Sequence, residues 1–264
     1  EKPAHIVRRG VQTSLGAAVK AVAEGKSQGV VSCANTGAFM ALSKIYLKTF
    51  KGVLRPAIPA FIPTRRGHTL MLDLGANVEC SAHMLLQFAL MGSIYVKTCL
   101  GTENPTVGIL NIGEEEMKGT EAVQDAAQLF REHPKINYVG FIEGDKITQG
   151  LVDVIITDGF TGNVALKTLE GTAHFITQLL TQVFQSSWQT KLAYKLCEKA
   201  LGQVAQTMDK RSYNGAPFLG ISGVAIKSHG SSDRKGFANA ISVAIDMVEN
   251  QLPVHLEQQF KMDT

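Results

Sequence analysis

Two periodicities take turns along this chain. Short unbroken apolar runs alternate with stretches whose apolar positions recur every three or four residues. Runs of the first kind fit strands buried on both faces, and the second kind fit amphipathic helices. Leu15, Ala18, Val19, Val22 and Ala23 lie at helical spacing, with Gly25 as a stop. Gly29–Cys33 then predicts a strand, followed by a helix over about Thr36–Lys48. His68–Leu74 and Thr106–Ile112 predict further strands, leading to helices over Ser81–Leu100 and from near Gly119. Two more strands are expected at Tyr138–Ile142 and Asp153–Thr157. Alternation of this type demands right-handed crossovers and a largely parallel sheet with helices on both faces, a three-layer αβα domain over 1–264.

The pattern changes after Thr161. A helical region runs to Met208, with Phe175, Leu179, Leu180, Val183 and Phe184 on one apolar face and Leu192, Leu196, Ala200 and Val204 on another. Gln185-Ser186-Ser187-Trp188 separates them, so an antiparallel helix pair protruding from the sheet is expected over 164–208. Core packing or dimerisation would use such faces; so would a tip resting on a membrane surface, with Trp188 as anchor. A final helix over Ser232–Gln251 stops before Pro253, with a loose tail expected behind it.

Four polar loops interrupt the apolar runs: Ser32-Cys33-Ala34-Asn35-Thr36-Gly37, Leu72-Asp73-Leu74-Gly75-Ala76-Asn77, Asp158-Gly159-Phe160-Thr161-Gly162-Asn163 and Ser228-His229-Gly230-Ser231-Ser232-Asp233. Each follows a strand-like run, the fourth the shorter Gly223–Ile226, and at least three lead into helices. In parallel sheets such loops gather at the carboxyl edge, where ligands bind. Helix N-termini there offer unpaired N–H groups and positive dipole ends, which suits phosphate or another oxyanion.

Composition narrows the class. Hydrophobic residues make up 45% and charged residues 19%, an ordinary globular balance, and a net charge of +3 gives no reason to expect nucleic acid. Cys33, Cys80, Cys99 and Cys197 show no metal-ligand spacing and read as reduced thiols of a cytoplasmic protein. No metal or cofactor is expected. GxGxxG, P-loop and GxSxG motifs are all absent, which points to catalysis by positioning and oxyanion stabilisation rather than by a nucleotide or a covalent serine. Charge is uneven, however. No acidic residue occurs between Glu24 and Asp73, where Lys26, Lys44, Lys48, Lys51, Arg55, Arg65 and Arg66 fall. That segment is either a solvated face or a dock for an acidic partner.

Each candidate residue also has a plain structural reading. Asn35, Thr36 and Gly37 form a common turn, or present N–H groups to phosphate. Thr161 or Asp158 could simply cap a helix, yet capping leaves Gly159, Gly162 and Asn163 unexplained, and Lys167 stands one turn on. Asp73 could order its loop while Asn77 donates to a developing oxyanion. Glu114–Glu116 read as a solvated helix start or a cleft-facing carboxylate. Lys227, His229 and Ser231 combine a cation, an imidazole and a hydroxyl before a helix.

Together with Gln87–Ser93, Asn111–Glu116 and Gly215-Ala216-Pro217, these strings occur in the order seen in the bacterial phosphate acyltransferases of phospholipid synthesis (PlsX), and the chain resembles that family from about Val7 to Val248. The resemblance implies transfer of a fatty acyl group from acyl carrier protein to inorganic phosphate, and an isocitrate/isopropylmalate dehydrogenase-like fold. It further implies a homodimer, peripheral membrane association, and a membrane glycerol-3-phosphate acyltransferase as a further candidate partner that consumes the acyl phosphate. Family members begin with a strand ending in an Ala-Met-Gly-Gly-Asp loop and further βα elements, expected to precede the first residues here. Within that frame Asn77, Asn163, His229 and Lys167 are expected as catalytic groups, and Asn35, Thr36, Gly37, Gly159, Thr161, Gly162, Lys227 and Ser231 as phosphate ligands. A phosphotransacetylase-like enzyme using acyl-CoA, and a non-catalytic membrane scaffold for lipid enzymes, are the alternatives.

Overall fold

A computed structural model describes residues 3–207 and 209–262. Strands are β1 (Gly29–Ser32), β2 (Ala60–Thr64), β3 (Gly67–Leu72), β4 (Thr106–Asn111), β5 (Asn137–Glu143), β6 (Val154–Ile156), β7 (Ala216–Pro217) and β8 (Val224–Lys227). Helices are α1 (Pro3–Arg9), α2 (Ser14–Ala23), α3 (Thr36–Tyr46), α4 (Ala82–Leu100), α5 (Glu121–Glu132), α6 (Gly159–Gln185), α7 (Trp188–Thr207), α8 (Arg234–Glu249) and α9 (Leu252–Met262).

The strands form two sheets, of order β2-β3-β6-β4-β5 and β1-β8-β7. Within the first, β3, β6, β4 and β5 are parallel and β2 is antiparallel; in the second, β1 and β8 are parallel and β7 antiparallel. The expected largely parallel sheet is therefore present but divided. Prolines explain the division. Pro63 lies in β2 and Pro217 in β7, with Pro56 and Pro59 just before β2. Lacking N–H donors, prolines favour sheet edges. The sheets meet at isolated bridges, Ala57 to Leu219 and Thr49 to Ile221.

Alternation along the strands sorts the core into two clusters. Leu70, Leu72, Val154, Ile156, Val224 and Ile226 face one cluster; Met71, Ile155 and Ala225 face the other. The first is covered by α4, α5, α8 and α9 through residues such as Phe88, Phe130, Met247 and Phe260. The second is covered by α2 and α3 through Val19, Phe39 and Leu42, with Leu166 and Leu169 of α6 at its margin.

Behind the carboxyl ends of the strands, helices start on side-chain caps. Asn35 caps α3, Ser81 α4, Thr120 α5, Asp158 α6 and Asp233 α8. At the far end the expected loose tail is instead helix α9, which buries Leu252, Leu256 and Phe260. Pro253 falls in its first turn, where a missing N–H costs nothing. Helices α6 and α7 stand out from the sheets with Phe175, Val183, Trp188 and Leu196 between 57% and 80% exposed. Met208, the expected end of that pair, lies outside the described residues. Among the described residues no helix is long and apolar enough to cross a membrane.

Candidate active site

The loop after β3 and the start of α6 are built as one unit around Asp73. Its side chain is fully buried. One carboxylate oxygen accepts from the N–H groups of Ile58 (2.9 Å) and Ala76 (3.1 Å), the other from Asn77 N–H (2.7 Å) and Asn77 Nδ2 (2.9 Å). Burial pushes the Asp73 pKa up, while those donors pull it back. Asn77 Nδ2 also donates to the Pro56 carbonyl at 2.8 Å, so both amide protons are spent inside the protein. Helix α6 is seated directly on this loop. Gly159 N–H donates to Asn77 O at 2.7 Å, and a methyl group at Gly162 would come within 2.0 Å of Asp73 O. Close packing against the Asp73 loop thus accounts for both glycines, without a ligand.

Asp158 takes the capping role at α6, accepting from Thr161 N–H at 2.8 Å and Thr161 Oγ1 at 2.7 Å. Asn163 is exposed, with its Cγ 3.7 Å from the Cβ position of Gly75, which brings Asn77, Gly75 and Asn163 together at one edge. Lys167 pairs with Glu170 at 2.7 Å on the exposed part of α6.

A second unit joins the loops after β1 and β8. Ser32 and Lys227 are paired in register, and Ser228 N–H donates to Ser32 O at 2.9 Å. Asn35, Thr36 and Gly37 open α3 beside them, with Asn35 Oδ1 accepting from Ala38 N–H at 3.1 Å. Lys227 Nζ donates to the Ser228 carbonyl, and burial lowers its pKa. His229 Nδ1 accepts from Ser231 N–H at 3.2 Å and sits 2.9 Å from Ser231 Oγ, which puts the proton of the neutral ring on Nε2. Asn214 holds this unit together. It accepts from His229 N–H (2.8 Å) and donates to Ser228 Oγ (2.8 Å) and to Gly236 O (2.6 Å) at the head of α8. Nothing in its sequence context singles it out beyond its place before Gly215.

The two units rest on one apolar cluster, which takes in Ala34 and Phe39 from one side and Leu74, Ala76 and Leu166 from the other. A cavity of about 60 Å³ between the sheets is lined by Phe61, Leu70, Tyr95, Tyr213, Pro217 and Val243, among others. None of the site residues expected from sequence lines it. Glu114 and Glu116 are engaged by Lys146 and Arg131. Cys80, beside Asp73 and Asp158, has its pKa pushed up to about 12, chiefly by burial, so it stays a thiol at neutral pH and is a poor nucleophile. The chemistry these loops offer is therefore that of helix N-termini, amides, an imidazole and a half-buried cation, groups suited to an anion.

Comparison with known proteins decides the lineage. Residues 1–255 match the family described as fatty acid synthesis protein. The chain belongs to that family. Among its relatives, a phosphate acyltransferase of Rhodospirillum rubrum is 52% identical over 248 residues, covering 94% of this chain and 71% of that protein. Another, from Paramagnetospirillum magneticum, is 47% identical over 260 residues, 98% of this chain and 74% of that protein. Solved structures of similar fold include EutD phosphotransacetylase from Staphylococcus aureus, with TM-score 0.55, 16% identity and coverage of 94% of this chain and 75% of that one. A branched-chain phosphotransacylase from Enterococcus faecalis V583 gives TM-score 0.61 at 14% identity, covering 89% of this chain and 78% of that one. At such identity these two relate the folds alone; membership of the fatty acid synthesis family rests on the sequence matches.

Proposed function

We propose that this chain is a phosphate acyltransferase that moves a fatty acyl group from the thioester of acyl carrier protein to inorganic phosphate. The observation that carries the reading is the 52% identity to a phosphate acyltransferase over 94% of the chain. The site chemistry supports it. Phosphate is already a nucleophile near neutral pH, and the pantetheine thiol leaves readily, since a free thiol has a pKa of about 8.5. A phosphate oxygen attacks the thioester carbonyl, a tetrahedral oxyanion forms, and its collapse releases the thiolate, which takes a proton from solvent. The protein need only hold the two reactants at roughly 3 to 3.5 Å and stabilise the oxyanion. Lys227, His229 and the α3 N-terminus at Asn35–Gly37 are assigned to phosphate. Asn163 is assigned to the oxyanion, while Asn77, its amide protons spent on Asp73 and Pro56, is assigned to ordering the loop.

The finer features fit the same reading. An acidic carrier protein would complement the acid-free segment Lys44–Arg66. The exposed apolar faces of α6 and α7 suit a homodimer or a membrane surface. We assign the fold to the isocitrate/isopropylmalate dehydrogenase-like type, which its phosphotransacetylase neighbours favour. A second reading takes acyl-CoA as the donor. The test is to incubate the protein with phosphate and either palmitoyl-carrier protein or palmitoyl-CoA, then to trap product with hydroxylamine. Hydroxamate with the carrier donor is expected. Product from CoA alone selects the second reading, and none from either removes both.

A further inference from the structure

The segment between Gly52 and Ile58, which leads into β2, is fastened at both ends by side chains from elsewhere. Gln87 of α4 grips its beginning: Nε2 donates to Gly52 O at 2.7 Å and Oε1 accepts from Leu54 N–H at 2.8 Å. The Asp73 unit grips its end. Pro56 O accepts from Asn77 Nδ2 at 2.8 Å, and Ile58 N–H donates to Asp73 Oδ1 at 2.9 Å. Ala57 adds a reciprocal pair of backbone bonds with Leu219, each 3.0 Å. Val53, Pro56, Ala57 and Ile58 are buried, whereas Arg55 is exposed between the two clamps. Pro56 further restricts Arg55 to extended backbone. Gly52 and Leu54 are exposed as well, but of the three only Arg55 carries a charge.

Arg55 also has no carboxylate to neutralise it. Among the described residues it has no ion-pair partner, and its sequence neighbourhood from Glu24 to Asp73 is free of acids. Asp73, the carboxylate that fastens this segment, is committed to four donors. On the other side of Asn77 stands the N-terminus of α6, joined through Gly159 N–H to Asn77 O at 2.7 Å. The start of α6, capped by Asp158, thus lies two hydrogen bonds, through Asn77, from the backbone that carries Arg55.

We propose that Arg55 binds a phosphoryl group of the substrate, and that Gln87 positions it by holding the start of its segment. A guanidinium is always charged and offers a planar fork that matches two phosphate oxygens. The inference rests on the acyl-transfer reading and names a further ligand for that site. Two sources supply the chemistry: inorganic phosphate itself, or the phosphate ester on the pantetheine arm of the acyl donor.

The test is Arg55→Ala, with Arg55→Lys and Gln87→Ala beside it. Being exposed, Arg55 can be truncated with little change in thermal midpoint, so loss of folding does not confuse the result. Arg55→Ala is expected to raise KM about tenfold or more for one substrate while the other KM moves little. A rise for phosphate identifies the free anion. A rise for the carrier donor, with none for a palmitoyl thioester of N-acetylcysteamine that lacks phosphate, identifies the ester. Arg55→Lys keeps charge without the fork and is expected to recover part of the loss. Gln87→Ala should raise the same KM by a smaller factor, whereas general loosening would lower kcat and raise both. Calorimetric titration with inorganic phosphate and with coenzyme A reads the same contact without turnover. Equal affinities in the unaltered chain and Arg55→Ala, or no binding of either probe by the unaltered chain, overturn the proposal. Absence of acyl phosphate despite normal, Arg55-dependent binding counts against the acyl-transfer reading alone.

Discussion

The two halves of the active edge solve the same mechanical problem with opposite chemistry. Around the loop after β3, a fully buried carboxylate, Asp73, collects four donors from two segments. Around the loop after β8, a half-buried neutral amide, Asn214, both accepts and donates. A charge gives stronger bonds but must be stripped of water, so it tolerates no missing partner. An amide gives weaker bonds and leaves the neighbouring groups reachable by solvent. The Asp73 half is accordingly tight at its centre, with α6 pressed onto it, while Gly75 and Asn163 at its rim are exposed. The Asn214 half is more open, and there His229 and Ser231 remain exposed. Both halves rest on one apolar cluster, so a tightly held loop and a more accessible, cation-bearing one share the same support.

Removing each hub is the most direct way to break this contrast. Asp73→Asn leaves one acceptor oxygen and turns a donor amide toward the remaining donors. It is expected to cost about 3 kcal/mol or more of unfolding free energy, against about 1 to 2 kcal/mol for Asn214→Ala. Denaturant titration of the two variants measures both, and equal losses would erase the distinction. The glycines give a sharper version. Gly162→Ala forces a methyl group into Asp73 O, at an expected cost of about 2 to 3 kcal/mol with a matching drop in kcat. The Cβ position of Gly230 has nothing nearer than Cys33 O at 3.9 Å, so Gly230→Ala should shift stability by less than about 0.5 kcal/mol.

The smallest effect is one of pH, and it probes the open half alone. Burial lowers the Lys227 pKa, so in the window between that value and the ordinary lysine value of about 10.4 the folded chain binds fewer protons than the unfolded one. Stability rises with pH through that window, but the cation proposed to hold phosphate is lost. Phosphate KM is therefore expected to climb at a lower pH than an ordinary lysine would give, and Lys227→Arg should delay the climb. A KM profile from pH 7 upward reads this, and identical profiles would detach Lys227 from the anion.

Much of the architecture was legible in the residues. Strands buried on two faces declare themselves by unbroken apolar runs, and caps such as Asn35, Asp158 and Asp233 mark where the following helices begin. β2 and β7 escaped because prolines weaken the strand signal, and α9 because Pro253 imitates a terminator. The candidate site divides in the same way. Asn163, Lys227 and His229 were visible as polar residues at strand ends. Lys167 was suggested by proximity in sequence, yet its ammonium group is taken by Glu170. The weight carried by Asp73, Asn214 and Gln87 arises from partners 15 to 33 residues away, such as Ile58, His229 and Leu54. No local pattern encodes which distant N–H group a side chain will meet.

Helix α6 is anchored without clearance at Gly159 and Gly162, so it behaves as a rod clamped at one end. At 1.5 Å per residue its 27 residues reach about 40 Å, and the uncovered Phe175 and Val183 ride along its outer stretch. Whatever surface takes up those side chains inherits a set standoff and bearing from the place where acyl and phosphate groups would meet.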